Sequence, residues 1–335
     1  MKKRTSKTVA MALAALVAVG SMTLGASALG YNVSESSYEG GYAEAADYGA
    51  AEGTVAASIR TSTESPNRSN RLVRNYKYIR SVSDKSVYSY ERPSVYLNGR
   101  RSTVNGLIIG GVPYLPFRAV ANLLGARYSY NSSTKTSVMT LSGVEISATG
   151  GNYTLYANGR VLFSDMPTVI MNDGRMYVVA ASLAKALGLT AELSGGTLNL
   201  RGSVTPLASA ASYYREDEVF WLARIIHAES SGEPLLGKIA VGNVVLNRVR
   251  SREYPNTIYG VIFDRKYGVQ FSPILNGSIY NQPSYQSRLA AMICLEGFDT
   301  SEGALFFLRP ELSTSSWIPK TRQYAFTIGK HDFYY

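Results

Sequence analysis

An internal repeat of about 60 residues in the middle of the chain limits the possible folds most strongly. The turn YLNGR at residues 96–100 returns as YANGR at residues 156–160. Asn-Gly between short β-prone runs is a strong signal for a two-residue hairpin. In each copy a later strand pattern leads into a short helix that ends at Leu124-Gly125 or Leu187-Gly188, where glycine can take the left-handed conformation. Since neither copy could bury both of its faces alone, we predict one α+β domain built from two repeats.

Longer segments of the two copies carry more specific sequence. The first copy contains PYLPFRAVANLLGARYSYNSSTKTSVMTL, and the second contains MYVVAASLAKALGLTAELSGGTLNL. Together with the NGR turns, these segments resemble the copper amine oxidase N-terminal-like domain. The resemblance implies a non-catalytic module at residues 93–203 that presents or positions its neighbour, with a plain spacer as the alternative. The stretch has no histidine and no cysteine, so we expect no copper site there.

The first 28 residues have the three parts of a secretory signal peptide. Four of the first seven residues are basic, residues 9–24 are apolar, and Ala26-Ser27-Ala28 offers a small-x-small cleavage site. A permanent membrane anchor is the alternative, but Gly20 and Ser21 weaken the apolar run. We therefore predict a secreted, wall-associated protein that has no membrane span once the signal is removed.

Residues 29–92 contain too few aliphatic side chains for a core, so we predict a disordered tether. The chain carries 34 basic and 24 acidic residues, a net charge of +10 that favours polyanions such as nucleic acid, anionic lipid or cell-wall polymers. Basic side chains recur at every third position of the tether: Arg68, Arg71, Arg74, Lys77 and Arg80. Such a run is usually a solvated tether, and attraction to anionic wall polymers is the alternative. We expect no nucleic acid partner.

Cysteine and histidine are too scarce for several kinds of site. The single cysteine excludes a disulfide framework and Cys-rich zinc or iron–sulfur sites, and two histidines argue against a multi-His metal centre. Cys294 lies in an apolar helical run, which favours a small core residue over the nucleophile of a cysteine peptidase. We expect neither a metal nor an organic cofactor.

Residues 216–335 begin with an amphipathic helix that has a carboxylate on its apolar side. The residues at three- and four-residue steps are Val219, Leu222, Ile225, Ile226 and Glu229. A carboxyl in such a setting, with a reference pKa of about 4.3, can reach a pKa of around 6. A general acid that protonates a glycosidic oxygen near neutral pH needs such a value. The alternative is a buried ion pair of Glu229 with Arg224 or Arg248.

Several segments of this C-terminal part are specific to one family. They are WLARIIHAESSGEPLLGKIAVGNVVLNRVRSREYPNTIYGVIFD, VQFSPILNGSIYNQPS, RLAAMICLEGFD and GALFFLRPELSTSSWIPKTRQYAFTIGKHDFYY. They resemble the SleB/CwlJ-type cell-wall hydrolases, the spore cortex-lytic enzyme family. The resemblance implies a mainly α, lysozyme-like hydrolase domain at residues 216–335, after a linker at 204–215. The predicted fold class is therefore α+β, with the two-repeat module followed by this domain.

The same resemblance implies cleavage of the peptidoglycan glycan strand, with the glutamate at the end of the first helix, Glu229, as the acid. It also places Gln270, Phe271, Ser272 and Tyr280 in the family's second motif, which we expect to line the glycan groove. Ordinary core or loop roles remain the alternative for these four residues.

The number of convincing carboxylates decides between two reactions. Inverting and retaining hydrolases need two. Glu233 stands at a turn before Pro234 and is expected to support the start of the second helix, and nothing strong favours Asp264. We therefore predict a lytic transglycosylase that cleaves between N-acetylmuramic acid and N-acetylglucosamine. In that reaction the C6 hydroxyl of the muramic acid attacks its own anomeric carbon and leaves 1,6-anhydro ends.

Two other classes of function stay open. An N-acetylmuramoyl-L-alanine amidase would normally need zinc, and only His227 and His331 are available, far apart in the sequence. A non-catalytic wall-binding protein could keep the groove without activity, although the intact Glu229 argues against it.

Overall fold

The computed structural model describes residues 91–266, 268–313 and 317–335, together with the backbone of residues 59–61. The predicted signal peptide and most of the predicted tether lie outside the described residues. Within the described part of the chain, no helix is long and apolar enough to cross a bilayer.

Residues 94–201 fold as one domain in which the two copies exchange strands. The first strand of the chain is β1 (Ile59–Thr61), outside this domain. The strands of the domain are β2 (Ser94–Leu97), β3 (Arg100–Arg101), β4 (Leu107–Ile109), β5 (Val112–Pro116), β6 (Arg127–Asn131), β7 (Thr136–Leu141), β8 (Val144–Thr149), β9 (Thr154–Ala157), β10 (Arg160–Phe163), β11 (Val169–Ile170), β12 (Met176–Val179), β13 (Thr190–Ser194) and β14 (Thr197–Arg201). Its helices are α1 (Phe117–Leu123) and α2 (Ala180–Ala186).

Each sheet of this module combines strands from both copies, in the orders β11-β12-β5-β4, β13-β14-β2-β3 and β10-β9-β8-β7-β6. The hairpin of the first copy, β2–β3, joins β14 of the second copy in parallel. The hairpin of the second copy, β9–β10, joins β7 and β6 of the first copy through β8. A large and a smaller hydrophobic cluster each combine residues of both copies, so the prediction of one α+β domain from two repeats is confirmed.

The local signals of the repeats correspond to the predicted conformations. Asn98 and Gly99 have φ values of 49° and 78°, and Asn158 and Gly159 have 52° and 78°, as two-residue hairpins with two left-handed positions require. Each repeat helix is followed by a left-handed glycine, Gly125 or Gly188. At Gly188 a Cβ would also collide with the carbonyl oxygen of Thr205.

The C-terminal part is mainly helical, as predicted, and adds a small sheet. The helices after α2 are α3 (Ala210–Tyr213), α4 (Glu216–Ser230), α5 (Leu235–Arg250), α6 (Ile258–Ile262), α7 (Pro273–Asn276), a 3-10 turn at Ser278–Tyr280, α8 (Tyr285–Leu295) and α9 (Trp317–Thr321). The strands are β15 (Phe306–Leu308), β16 (Tyr324–Ile328) and β17 (His331–Tyr334). We expected Pro234 to be the first residue of the second helix. Helix α5 begins one residue later, at Leu235, and Pro234 is its N-cap residue.

The helices α4, α5 and α8 form the core of this domain. They approach closely at Gly242, where a Cβ would lie only 2.8 Å from both the Cys294 sulfur and an Ile226 methyl. Helix α4 has three acidic residues in its first turn, and their negative charges stabilise the helix by interacting with the positive end of its dipole. Asn243 and Asn247, on one side of α5, bind the loop from Phe298 to Ala304.

The prediction of a tether without secondary structure is wrong for residues 59–61. Strand β1 pairs antiparallel with β16, with Ile59 opposite Ile328, and extends the sheet to the order β1-β16-β17-β15. Backbone groups at a sheet edge can pair with any extended segment, whatever its side chains. The low apolar content of this region therefore could not predict whether it forms a strand. At the end of the predicted tether, Glu91 forms an isolated bridge with Ile108.

The predicted linker, residues 204–215, is also more structured than expected. It contains α3, and Ala210 and Tyr214 are buried. The amide of Ala210 donates to the carbonyl of Asn158 in the second-copy hairpin, while Tyr214 packs with Val219, Met292 and Leu295 of the helical domain. The linker is therefore part of an interface between module and helical domain.

A buried ion pair lies at the centre of this interface. The Arg160 guanidinium donates to both carboxylate oxygens of Glu296 at 2.8 Å, and Lys185 and Tyr214 donate to the same carboxylate at 2.9 and 2.8 Å. The side chains of Arg160 and Glu296 are 6% and 2% exposed. Next to them Phe163 of the module meets Phe298 edge-on, with ring centroids 4.7 Å apart.

The interface lies at the opposite end of α4 from Glu229. Helices α4 and α8 run antiparallel, because His227 near the end of α4 faces Ser284 and Ser287 at the start of α8. Tyr214, just before α4, correspondingly reaches Glu296, just after α8. With a rise of about 1.5 Å per residue, α4 is roughly 20 Å long, and Glu229 and the contact of Tyr214 with Glu296 lie near its opposite ends.

Candidate active site

Glu229 occupies the last turn of α4 and is half-buried. Burial raises its pKa to about 7, although the nearby charges of His331 and Arg248 act in the opposite direction. Among the described residues no cationic side chain lies within 4 Å of its carboxylate. The carboxyl therefore carries a proton over much of the range below neutral pH, as a general acid requires.

The predicted alternative, an ion pair of Glu229 with Arg224 or Arg248, is wrong in this structure. Arg224 instead donates to the backbone carbonyls of Tyr280 and Asn281. Arg248 donates through Nε to the carbonyl of Leu305 at 2.8 Å. Both arginines thus fix loops around Glu229 rather than neutralising it.

Arg248 is a buried cation in an aromatic cage. It is 5% exposed, and its guanidinium carbon lies 5.1, 5.1 and 5.5 Å from the ring centroids of Tyr254, Phe271 and Phe306. Burial lowers the pKa of Arg248. Its Nη1 has no hydrogen-bond partner among the described residues. The side chain therefore contributes positive charge near Glu229 without contacting it.

Glu233, four residues after Glu229, has the opposite electrostatic character. Burial alone would raise its pKa, but His331 and the amide of Lys330 outweigh burial, and the pKa of Glu233 is lowered. Its Oε2 accepts the Lys330 amide hydrogen at 2.9 Å, and its Oε1 lies 3.7 Å from His331 Nδ1. Oε2 is held by the Lys330 amide and Oε1 lies beside His331, so the carboxylate of Glu233 holds the β16–β17 turn.

An exposed aromatic surface lies on the outer side of α4. Trp221 meets the rings of Tyr259, Phe263 and Tyr280 at centroid distances of 5.3, 5.1 and 6.4 Å. Tyr259 and Tyr280 are 53% and 63% exposed. Flat aromatic faces with a polar tip can pack against sugar rings and still bond to water, so this surface suits a glycan.

The four residues expected to line the groove separate into two groups. Tyr280 belongs to the aromatic surface, and Ser272 is exposed at the start of α7. Gln270 donates to the carbonyl of Gly268 at 3.2 Å. Phe271 is a correction: it is only 3% exposed and packs in the core beside Arg248 and Phe307, so a sugar cannot reach it.

Sequence reasoning missed Trp221, Tyr259 and the proximity of His331 to Glu229. Trp221 carried only a weak signal, since eight residues before Glu229 is about two turns along the helix but rotated by roughly 80° from its face. His331 carried none, because its approach to Glu233 spans 98 residues of chain.

The described residues give no cluster of three or more His, Cys, Asp or Glu side chains that could hold a metal. Cys294 is buried in α8, and burial raises the pKa of its thiol, which therefore stays protonated and unreactive. His227 faces the start of α8, and burial lowers its pKa.

Two family models match separate parts of the chain. Residues 232–334 match the cell wall hydrolase model, and residues 96–201 match the copper amine oxidase N-terminal domain. The first match begins three residues after Glu229, so it includes Glu233 but not Glu229.

Similar proteins support the first match. The chain is 38% identical over 120 residues to a spore cortex-lytic enzyme of Bacillus cereus. The matched region covers 36% of this chain and 45% of that protein. It is 36% identical over 123 residues to the spore cortex-lytic enzyme of Bacillus subtilis, covering 36% of this chain and 38% of that protein. The chain thus spans less than half the length of these curated relatives.

One solved structure is also similar, the catalytic domain of the germination-specific lytic transglycosylase SleB from Bacillus anthracis. The identity is 38%, the match covers 36% of this chain and 97% of that one, and the TM-score is 0.34. Residues 232–334 are therefore a cell wall hydrolase domain, and residues 96–201 are a copper amine oxidase N-terminal domain.

Proposed function

We propose that the protein cleaves the glycan strand of peptidoglycan between N-acetylmuramic acid and N-acetylglucosamine, as a lytic transglycosylase with Glu229 as its acid and base. The observation that carries the proposal is a half-buried carboxyl without a cationic partner within 4 Å among the described residues, whose pKa of about 7 lets it carry a proton up to neutral pH. The similarity to the Bacillus anthracis lytic transglycosylase SleB supports the reaction type.

The proton balance of this reaction needs only one side chain. Glu229 gives its proton to the glycosidic oxygen as the bond from that oxygen to the anomeric carbon of the muramic acid breaks. The C6 oxygen of the same sugar then bonds to that carbon, and its hydroxyl proton returns to Glu229. Because the proton goes out and comes back, a pKa near the working pH serves both halves.

The surroundings of Glu229 support this cycle. After the first step the carboxylate would be buried, and the positive charges of Arg248 and His331 both favour the ionised form. The second buried carboxylate, Glu233, is engaged by the Lys330 amide, which disfavours a water-activating mechanism with two carboxylates. The aromatic surface of Trp221, Tyr259 and Tyr280 provides sugar-stacking faces along α4.

The test is a digestion of purified peptidoglycan followed by mass spectrometry of the soluble fragments. Wild-type protein should release fragments with 1,6-anhydro ends, which lack the one water that hydrolysis adds. Reducing ends would overturn the transglycosylase step while leaving glycan cleavage intact. A Glu229→Gln variant that cuts at a rate near that of the wild type would overturn the assignment of the acid.

We also propose that the copper amine oxidase N-terminal domain positions the hydrolase rather than catalysing. The domain docks through Arg160, Val161 and Phe163 at the end of α4 away from Glu229, which leaves the catalytic end open. Its exposed arginines and the basic run of residues 68–80 would attract anionic wall polymers after export by the signal peptide. Wall binding that does not weaken with salt or on removal of residues 29–92 would contradict this part.

A further inference from the structure

Two turns meet close to Glu229 and are joined by one side chain. The first turn, residues 231–234, follows Glu229 directly, and the second is the β16–β17 turn at Gly329 and Lys330. The Glu233 side chain is 4% exposed, with Oε2 on the Lys330 amide at 2.9 Å and Oε1 at 3.7 Å from His331 Nδ1. A distance of 3.7 Å is too long for a hydrogen bond, so the His331 contact is a close polar approach.

The contact of Glu233 with the β16–β17 turn, here called the joint, is tightly packed on both sides. Gly329 has a φ of 60°, and a Cβ there would overlap the carboxylate of Glu233. On the other side the fully buried Lys238 donates to the carbonyl of Ser231 at 2.8 Å and to the carbonyl of Glu233. The turn after Glu229 therefore cannot shift unless the β16–β17 turn shifts with it.

We propose that Glu233 is a positioning residue, whose carboxylate holds the β16–β17 turn and its His331 against the end of the helix that carries Glu229. This inference rests on the function proposed above. His331 itself packs against the rings of Phe307 and Phe333, so its place depends on where the hairpin lies. A shift of the β16–β17 hairpin would move the imidazole of His331 and change the packing around Glu229.

The electrostatic consequence has a definite sign. Glu229 faces Arg248 from α5 and His331 from β17, and the electrostatic effect of each lowers the pKa of Glu229. His331 faces Glu233, and Glu233 also faces Lys330. Releasing the hairpin moves His331 away, so the pKa of Glu229 rises and the alkaline limb of the pH–rate profile moves to higher pH.

The experiment uses the full chain and two variants that break the joint from opposite sides. Glu233→Gln keeps an oxygen for the Lys330 amide and removes the charge that faces His331. Gly329→Ala pushes a methyl group into the same contact. We expect kcat on soluble glycan fragments to fall about 10- to 100-fold in both, since small misplacements of reacting groups can cost that much. KM should change little, because the aromatic surface is untouched.

Matched controls separate positioning from general damage. Glu253→Gln removes an exposed carboxylate of the same domain, and Gly303→Ala strains a glycine with a φ of 87° that has open space around its Cβ position. Both controls should keep the wild-type kcat and pH limb. The two tryptophans, Trp221 and Trp317, lie in the hydrolase domain, so their fluorescence measures how much of this domain is folded.

The outcomes are distinct. A lower kcat and a raised alkaline limb in folded Glu233→Gln and Gly329→Ala proteins would support the inference. A wild-type limb, or a loss of rate that only follows the loss of folded protein, would overturn it. Cleavage by Glu229→Gln at a rate near that of the wild type would instead overturn the proposed function itself.

Discussion

Two buried carboxylates, Glu229 and Glu296, lie near opposite ends of the same antiparallel helix pair and differ in almost every respect. Glu229 has no cationic partner within 4 Å among the described residues, and burial raises its pKa to about 7. For Glu296 burial also acts to raise the pKa, but Arg160, Lys185 and Tyr214 outweigh it, and the pKa is lowered. Burial without donors thus gives an acid, whereas burial with donors gives a structural anion.

The donors of Glu296 come from the other domain. Arg160 and Lys185 belong to the second repeat of the module, and Tyr214 belongs to the segment between the domains. The equivalent hairpin arginine of the first repeat, Arg100, is exposed and has no carboxylate within 4 Å in the described residues. Duplication therefore supplies an internal control, since the same turn is used for docking in one copy and is left at the surface in the other.

Exchanging each glutamate for glutamine should give opposite results. Glu229→Gln should lose cleavage by about 10²–10⁴-fold, the usual contribution of general acid catalysis, and keep its stability or gain slightly. Glu296→Gln should keep its cleavage rate per folded molecule and unfold more easily, because Arg160 would stay buried without its partner. Activity assays with tryptophan fluorescence unfolding measure both. Equal losses of activity in the two variants would contradict the division of roles.

The two hairpin arginines, Arg160 and Arg100, should differ in their effect on stability. Arg160→Ala should destabilise the hydrolase domain by roughly 3 kcal/mol, since breaking a buried pair leaves a charge without its main partner. Arg100→Ala, at an exposed position, should stay within about 0.5 kcal/mol of the wild type. Urea unfolding followed by tryptophan fluorescence reports on the domain that does not contain either arginine. Similar midpoints for the two variants would show that the interface does not stabilise the hydrolase.

The pH dependence of stability should also have opposite signs at the two sites. Glu229 has a raised folded pKa, so its ionisation costs stability as pH rises from about 4.5 to about 7, by roughly 3 kcal/mol if the whole shift is expressed. Glu296 has a lowered folded pKa, so its contribution is present above its unfolded pKa and is lost as pH falls below that. Thermal unfolding of wild type, Glu229→Gln and Glu296→Gln from about pH 2 to about pH 8 checks both slopes, that of Glu296 below and that of Glu229 above the ordinary carboxyl pKa of about 4.3. The Glu229→Gln protein should lack the neutral slope, and a retained slope would assign it to another group.

Much of the architecture was predictable because it follows from local rules. The Asn-Gly turns, the glycines that end α1 and α2, and the side of α4 that carries Glu229 all depend on residues close in sequence. The direction of the pKa shift of Glu229 was predictable from its position on the apolar side of α4. Such a side is poorly solvated wherever the helix packs, and poor solvation raises the pKa of a carboxyl.

The remaining features depend on contacts between distant segments. Arg160 and Glu296 are 136 residues apart, and nothing near either one identifies the other. Strand β1 uses backbone groups, which leave no pattern of side chains. Phe271 was expected at the groove because of its motif, but its burial depends on the cage around Arg248, which is assembled from four separate segments.

The most direct test of the central claim is the pH dependence of kcat/KM on soluble glycan fragments, since this ratio reports the pKa of the essential acid in the free enzyme. We expect kcat/KM to fall with rising pH around a midpoint of about 7, the pKa of the half-buried Glu229 carboxyl. A midpoint near the ordinary carboxyl value of about 4.3, or a rate that does not fall on the alkaline side, would contradict the account.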